Sequence, residues 1–261
     1  MEPAVTTEHV QTDFQDGILT LQFNRPEKKN ALTPAMYSAL VDGFRRADDD
    51  GAVRVILLTG TEGCFTSGND LTDFLNTPPD GESSPVFQFL MAIFLARKPV
   101  VAAVSGTAVG IGTTMLLHCD LVYAGASAVF QMPFVNLGLC PEAGSTLLLP
   151  RMMGHQRAAE LLLLGEPFGA EAAREIGIVN IVCPDGELLE TARVRAMQLA
   201  AQPPAAVRLA KSLLKRRTLA DLRETIAEEV WCFRERLRSP EATEAMTAFL
   251  ERRRPNFSRF I

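Results

Sequence analysis

A repeated unit constrains this chain most: a short, mainly apolar run that stops at a glycine-bearing turn and leads into a helix-like stretch. Residues 53–59, apolar but for Arg54 and Thr59, run to Gly60, and residues 99–104 run apolar to Ser105-Gly106. Residues 120–124 and 128–131 add a third and a fourth run. Runs of this length without a polar face suit strands buried on both sides, as in parallel sheets covered by helices. Residues 111–118, apolar and helix-like, sit between the second and third runs as a crossover would. The expected class is α/β.

The flanking segments fit that class. Residues 9–14 and 17–23 read as two strands around Gln15-Asp16-Gly17, a hairpin-type turn. Thr33-Pro34 puts a capping residue before a proline at the first helical position, and Met36, Leu40, Phe44 and Ala47 follow at helical spacing. After Pro141 the pattern turns helical over 143–152, 155–164 and 170–176, broken by Gly154, Gly165 and Gly177. Residues 178–182 read as one last strand. Residues 187–253 are helix-like and richly charged, with Ala220, Ile226, Val230, Phe233 and Leu237 at helical spacing. We divide the chain into a core, 1–200, and a helical lid or oligomerisation arm, 201–261. Residues 76–84, rich in Pro, Gly and Ser, read as a mobile loop.

Charge narrows the partners. The net charge of −5 disfavours nucleic acid, whose binders carry basic footprints. No apolar run reaches the length of a membrane span. Five scattered cysteines, with no CxxC pair, suit reduced thiols and an intracellular, cytoplasmic setting. The polar, acidic start has no signal-peptide core, and Arg259-Phe260-Ile261 is not a peroxisomal tripeptide.

Two glycine-bearing turns follow two of the strands: residues 65–71 (FTSGNDL) and 106–112 (GTAVGIG). Ligands of open α/β sheets bind beyond the carboxyl ends of strands. Glycine lets the backbone approach a ligand, and two backbone N–H groups can hold a developing oxyanion. The same glycines also suit plain tight turns and close helix packing. A dinucleotide loop is poorly supported, because Met115 stands where the third glycine of GxGxxG belongs.

Several ordered motifs together are more specific. Residues 25–32 (RPEKKNAL), 65–71 (FTSGNDL) and 98–106 (KPVVAAVSG) resemble, in order, segments of the enoyl-CoA hydratase/isomerase (crotonase) family. The segments 143–154 and 171–179 also fit, so the resemblance covers nearly the whole chain. It implies a repeated ββα spiral core with a C-terminal helical trimerisation region, forming a homotrimer or a dimer of trimers. It implies an acyl-CoA thioester substrate, with coenzyme A as part of that substrate, no separate cofactor and no metal. Backbone N–H groups of Asn69 and Ile111 fall on the family's oxyanion-hole donors. Ser67, Gly68, Asp70, Leu71 and Gly110 shape the binding turns, and Lys28 and Lys29 lie where CoA phosphates or adenine would pass. As surface lysines they fit plain solvation equally well. Arg252, Arg253 and Arg254 could meet the CoA phosphates of a neighbouring subunit or form a solvated basic run.

Departures from the family pattern bear on the reaction. Family hydratases use two glutamates to activate water; Thr114 and Phe134 align with those positions, which disfavours ordinary hydration. Glu142, in the string LGLCPEAG of residues 137–144, instead matches the single catalytic glutamate of peroxisomal-type Δ3,Δ2-enoyl-CoA isomerases. The bland alternative is a carboxylate in the first turn of a helix, favoured by the macrodipole. The expected function is a Δ3,Δ2-enoyl-CoA isomerase. The alternatives are an isomerase or hydratase of another CoA thioester, such as an aryl-CoA, and a non-catalytic acyl-CoA-binding protein. Phe74, Phe87, Phe89 and Phe94 are candidates for an acyl channel or for plain core.

Overall fold

A computed structural model describes residues 8–76, 81 and 83–260, with only the backbone for 74–76. Most of the segment read as a mobile loop, and the Phe74 side chain, therefore lie outside what is described. Strands β1 (Val10–Gln15) and β2 (Ile18–Phe23) form an antiparallel hairpin with Gln15 opposite Ile18. Asp16 and Gly17 between them have φ of 55° and 77°, the two-residue turn whose twist matches paired strands. Helix α1 (Pro34–Asp49) starts where the Thr33 side chain accepts the Met36 N–H. Its apolar stripe is buried in the main core.

From here the chain alternates between two sheets. Strand β3 (Val55–Thr59) is buried at every position. It is followed by β4 (Cys64–Thr66), α2 (Leu71–Asn76), α3 (Pro85–Leu95), β5 (Val100–Val104), β6 (Thr107–Val109), α4 (Ile111–Thr114), β7 (Leu121–Gly125) and β8 (Val129–Gln131). Helices α5 (Ser145–Met153) and α6 (His155–Ala159), strand β9 (Phe168–Gly169), α7 (Ala170–Glu175) and β10 (Ile181–Cys183) close the series. The six-stranded sheet has the order β1-β2-β3-β5-β7-β10, and the four-stranded sheet β4-β6-β8-β9. Each turn of the chain gives one strand to each sheet, which is the ββα spiral that the resemblance implied. Apart from the β1–β2 hairpin, neighbours in the large sheet run parallel. Burying each Val, Ile or Leu side chain of β3 and β5 is worth roughly 1.5–3 kcal/mol.

Two expectations change. Residues 107–109, read as part of a turn, pair with β4 and β8 as a strand. The helix expected from residue 143 begins at Ser145, because Ala143 and Gly144 are both left-handed, with φ of 60° and 71°.

Four helices complete the chain: α8 (Leu188–Ala200), α9 (Pro204–Lys215), α10 (Leu219–Leu237) and α11 (Pro240–Leu250). Leu188, Ala192 and Ala196 of α8 pack on Ile18, Val55, Val101 and Tyr123 of the large sheet. Lys211 of α9 donates to Asp120 at 2.6 Å and to the Lys98 carbonyl at 2.7 Å. Asp120 also accepts the Val100 N–H, so its role is structural. Helices α10 and α11 turn back over residues 138–146: a Cβ on Gly138 would lie 2.7 Å from the Ala242 nitrogen. Among the described residues, no helix is long and apolar enough to cross a membrane.

Candidate active site

The two glycine-bearing turns meet at the ends of β4 and β6. Gly68 has φ of 89°, and a Cβ there would sit 2.7 Å from the Val109 carbonyl oxygen. Any side chain at this point would force the turns apart. The parallel bridge between Leu32 and Asn69 fixes the first turn: Leu32 donates to the Gly68 carbonyl, and Asp70 donates to that of Leu32. The Asn69 N–H takes no part in this exchange. In the second turn Gly110 caps α4 with φ of 57°, and its N–H donates to Gln131. Ile111 is the first helical residue, where an N–H has no partner within the helix. Asn69 and Ile111, with Ser67, Gly68, Leu71, Gly110 and Phe134, line one cavity of about 460 Å³.

Asn69 also lines a second, smaller cavity of about 40 Å³, together with Glu142, Val86, Phe87, Leu90, Val230 and Phe233. Glu142 is buried, and burial is the main force that pushes its pKa up to about 8. A hydrogen bond from the Thr114 hydroxyl works against that rise, and the Glu229 carboxylate adds to it. Thr114 thus serves as the hydrogen-bond partner of Glu142. Tyr37 of α1 completes the cluster. Its hydroxyl donates to the Asn69 side chain at 2.5 Å, and burial followed by the Glu142 charge holds its pKa well above the ordinary value.

Glu142 lies before α5 and outside its first turn, so the macrodipole does not explain it. The carboxylate at that helix end is Glu229 of α10, which accepts the N–H groups of Gly144 and Thr146. Neither Glu229 nor Tyr37 was legible as a site residue. Glu229 stands in a run of charges, and its signal is its place in the buried stripe of Leu222, Ile226 and Glu229.

The remaining candidates divide. Asp70 forms an ion pair with Arg25 at 2.8 Å. Partial burial acts to raise its pKa, but the bonds from Arg25 and from backbone donors prevail and hold it below the usual carboxylate range. Lys28 and Lys29 are exposed; the carbonyl of Lys29 accepts the Ser67 N–H. Phe87 lines the small cavity, whereas Phe89 packs on Tyr37 and Phe94 on His118 inside the protein. Arg253 lines the larger cavity and pairs with Glu244 at 2.6 Å.

A carboxylate kept protonatable in an apolar pocket, beside backbone donors at the mouth of a larger cavity, can move a proton next to a carbonyl whose oxygen those donors stabilise. Comparison with known proteins gives this geometry its family. The family model for enoyl-CoA hydratase/isomerase matches residues 13–259. The chain is 36% identical over 246 residues to human enoyl-CoA delta isomerase 2, covering 92% of this chain and 62% of that protein. It is 36% identical over 259 residues to 1,2-epoxyphenylacetyl-CoA isomerase of Escherichia coli strain K12, covering 96% and 98%. Among solved structures, OdaA of Pseudomonas aeruginosa superposes with a TM-score of 0.92 at 51% identity, covering 94% of this chain and 99% of that one. The chain belongs to the enoyl-CoA hydratase/isomerase family, within the crotonase superfamily. It spans about three-fifths of the length of the human relative.

Proposed function

We propose that this protein is a Δ3,Δ2-enoyl-CoA isomerase with Glu142 as its single acid/base. One observation carries the reading: Glu142 is a buried carboxylate beside Asn69, while the resemblance puts Thr114 and Phe134 where hydratases hold their glutamates. The Glu142 carboxylate takes a proton from C2 of a 3-enoyl thioester. The electron pair delocalises into a dienolate whose oxygen accepts hydrogen bonds from the N–H groups of Asn69 and Ile111. The conjugate acid of Glu142 then returns the proton to C4, leaving the double bond between C2 and C3. Each oxyanion donor is worth about 2.7–4 kcal/mol of barrier. Val86, Phe87, Leu90, Val230 and Phe233 give the small cavity an apolar wall, beside Ser84 and Arg234, against which the reacting carbons of the acyl group would lie. The CoA moiety would run along the larger cavity past Ser67, Gly68, Leu71 and Gly110, with Asp70 bracing the turn and Lys28 and Lys29 toward its phosphates. No cofactor beyond the substrate's own CoA is invoked.

A second reading is isomerisation of an aryl-CoA or epoxy-aryl-CoA. It is favoured by the bacterial 1,2-epoxyphenylacetyl-CoA isomerase, which matches over nearly its full length. A trimer, or a dimer of trimers, belongs to the same proposal; exposed Leu209, Leu213, Leu214 and Trp231 offer apolar surface for it. The deciding assay supplies 3-hexenoyl-CoA, trans-2-hexenoyl-CoA and an epoxidised phenylacetyl-CoA to wild type and Glu142→Gln. Isomerase activity appears as the conjugated 2-enoyl thioester, and the variant loses about 10²–10⁴-fold in kcat, the scale of general acid–base catalysis. Turnover of the aryl substrate alone moves the assignment to the second reading. Hydration of the 2-enoyl ester overturns the placement of Thr114 and Phe134, and an active variant overturns the role of Glu142.

A further inference from the structure

Ala143 and Gly144, directly after Glu142, are both left-handed, with φ of 60° and 71°. That conformation is unfavourable for alanine, so contacts from outside must hold it. Three side chains converge there. His118, just beyond α4, is kept neutral by burial, its pKa pushed down to about 4, and its Nε2–H donates to the Ala143 carbonyl at 2.7 Å. Leu222 of α10 fills the space over Gly144, where a Cβ would come within 2.1 Å of it. Glu229, two turns further along α10, accepts the Gly144 N–H at 2.6 Å on one oxygen. Its other oxygen accepts the Thr146 N–H at 3.0 Å and the Thr146 hydroxyl at 2.5 Å. Burial raises the Glu229 pKa, and the bonds from Thr146 and Gly144 work against that rise; three donors on two oxygens is the bonding pattern of an ionised carboxylate.

We propose that Glu229 is a positioning residue for Glu142: its carboxylate locks the left-handed turn that presents Glu142 to the small cavity, so helix α10 as well as the spiral core fixes the geometry of the base. This rests on the reading of Glu142 as that base. The groups facing the pair are Thr114 from α4, Tyr37 from α1, Cys140 on the same loop, and Glu228, Cys232 and Arg234 from α10. Among the carboxylates, Glu229 is the one whose charge acts on Glu142, adding to burial in raising its pKa. Substituting a neutral amide would remove that repulsion and lower the Glu142 pKa. It would also turn an NH₂ group toward backbone N–H donors, loosening the turn.

The test compares wild type, Glu142→Gln, Glu229→Gln and Glu229→Asp in pH–rate profiles with 3-hexenoyl-CoA, with a thermal melt to establish folding. For Glu229→Gln, kcat falls about 10- to 100-fold, the scale of a displaced catalytic group, while KM changes within about threefold. The limb on which the rate rises with pH moves to lower pH. Glu229→Asp keeps the charge, holds the limb near its wild-type position and recovers part of kcat. A loss of folded protein alone would not move that limb. If Glu229→Gln does not fold, Thr146→Val removes one of the three bonds at nearly constant volume, and reduced kcat at unchanged KM is expected. A folded Glu229→Gln, or in its place Thr146→Val, with wild-type kcat and an unmoved limb overturns the positioning role, while an inactive Glu142→Gln in the same series leaves the base assignment intact. An active Glu142→Gln overturns the base assignment and this inference with it.

Discussion

The two halves of the site are held in contrasting ways. The two glycine-bearing turns are built from backbone: β4 and β6 pair in a sheet, the Leu32–Asn69 bridge pins the first turn, and Gly68 lets the two turns touch. The turn that carries Glu142 has no strand of its own. It is held by side chains, from Thr114 and His118 in the core and from Leu222 and Glu229 on α10. A backbone-built region is robust to the identity of most side chains and sensitive to the presence of a Cβ. A region built from side chains is the reverse.

Substitutions can break that contrast. On the backbone-built side the largest effect is expected at Gly68. Gly68→Val drives a branched side chain into the Val109 carbonyl and spreads the turns, so kcat should fall about 10²–10³-fold, as for loss of one oxyanion donor. A steady-state assay with 3-hexenoyl-CoA checks this, and near-wild-type kcat would mean the two turns need not touch.

The next effect concerns stability. Glu142 binds its proton more tightly folded than unfolded, because its pKa rises from 4.5 to about 8. Its contribution is therefore favourable at low pH and is lost as pH rises from about 4.5 through 8. Glu142→Gln should gain on the order of 3 kcal/mol over wild type at pH 7, with the gap closing toward pH 4.5. Urea titrations at several pH values measure it, and a gap independent of pH would contradict the burial of an ionisable group.

The smallest effect is expected at Ile111. Ile111→Val keeps the backbone N–H and removes one buried methyl group, costing about 0.5–1.5 kcal/mol of stability with kcat unchanged within about threefold. A large drop in kcat would show that the side chain, and not the N–H, does the work there.

The contrast also governs what the sequence makes legible. The apolar runs of β3 and β5, the Asp16-Gly17 hairpin and the Thr33-Pro34 helix start carry local signals of periodicity, turn chemistry and capping. The two turns that meet at the site announce themselves through glycines at strand ends. The strands of the small sheet, at two or three residues each, are too short for periodicity to register. Glu142 was legible from its motif, but its surroundings were not. Thr114 read as a lost glutamate, and Glu229 as one charge among many on a solvated helix. The bonds from Gly144 and Thr146 to Glu229 are set by tertiary packing, and no local pattern encodes them.

One consequence concerns the order in which the polypeptide leaves the ribosome. The last strand ends at Cys183, so both sheets and the two glycine-bearing turns can close while the chain is still being made. The carboxylate that braces the catalytic turn emerges only later, on α10. On the proposed function, a nascent chain would first close its two glycine-bearing turns and only afterwards fix the base, so activity would be the last property it acquires.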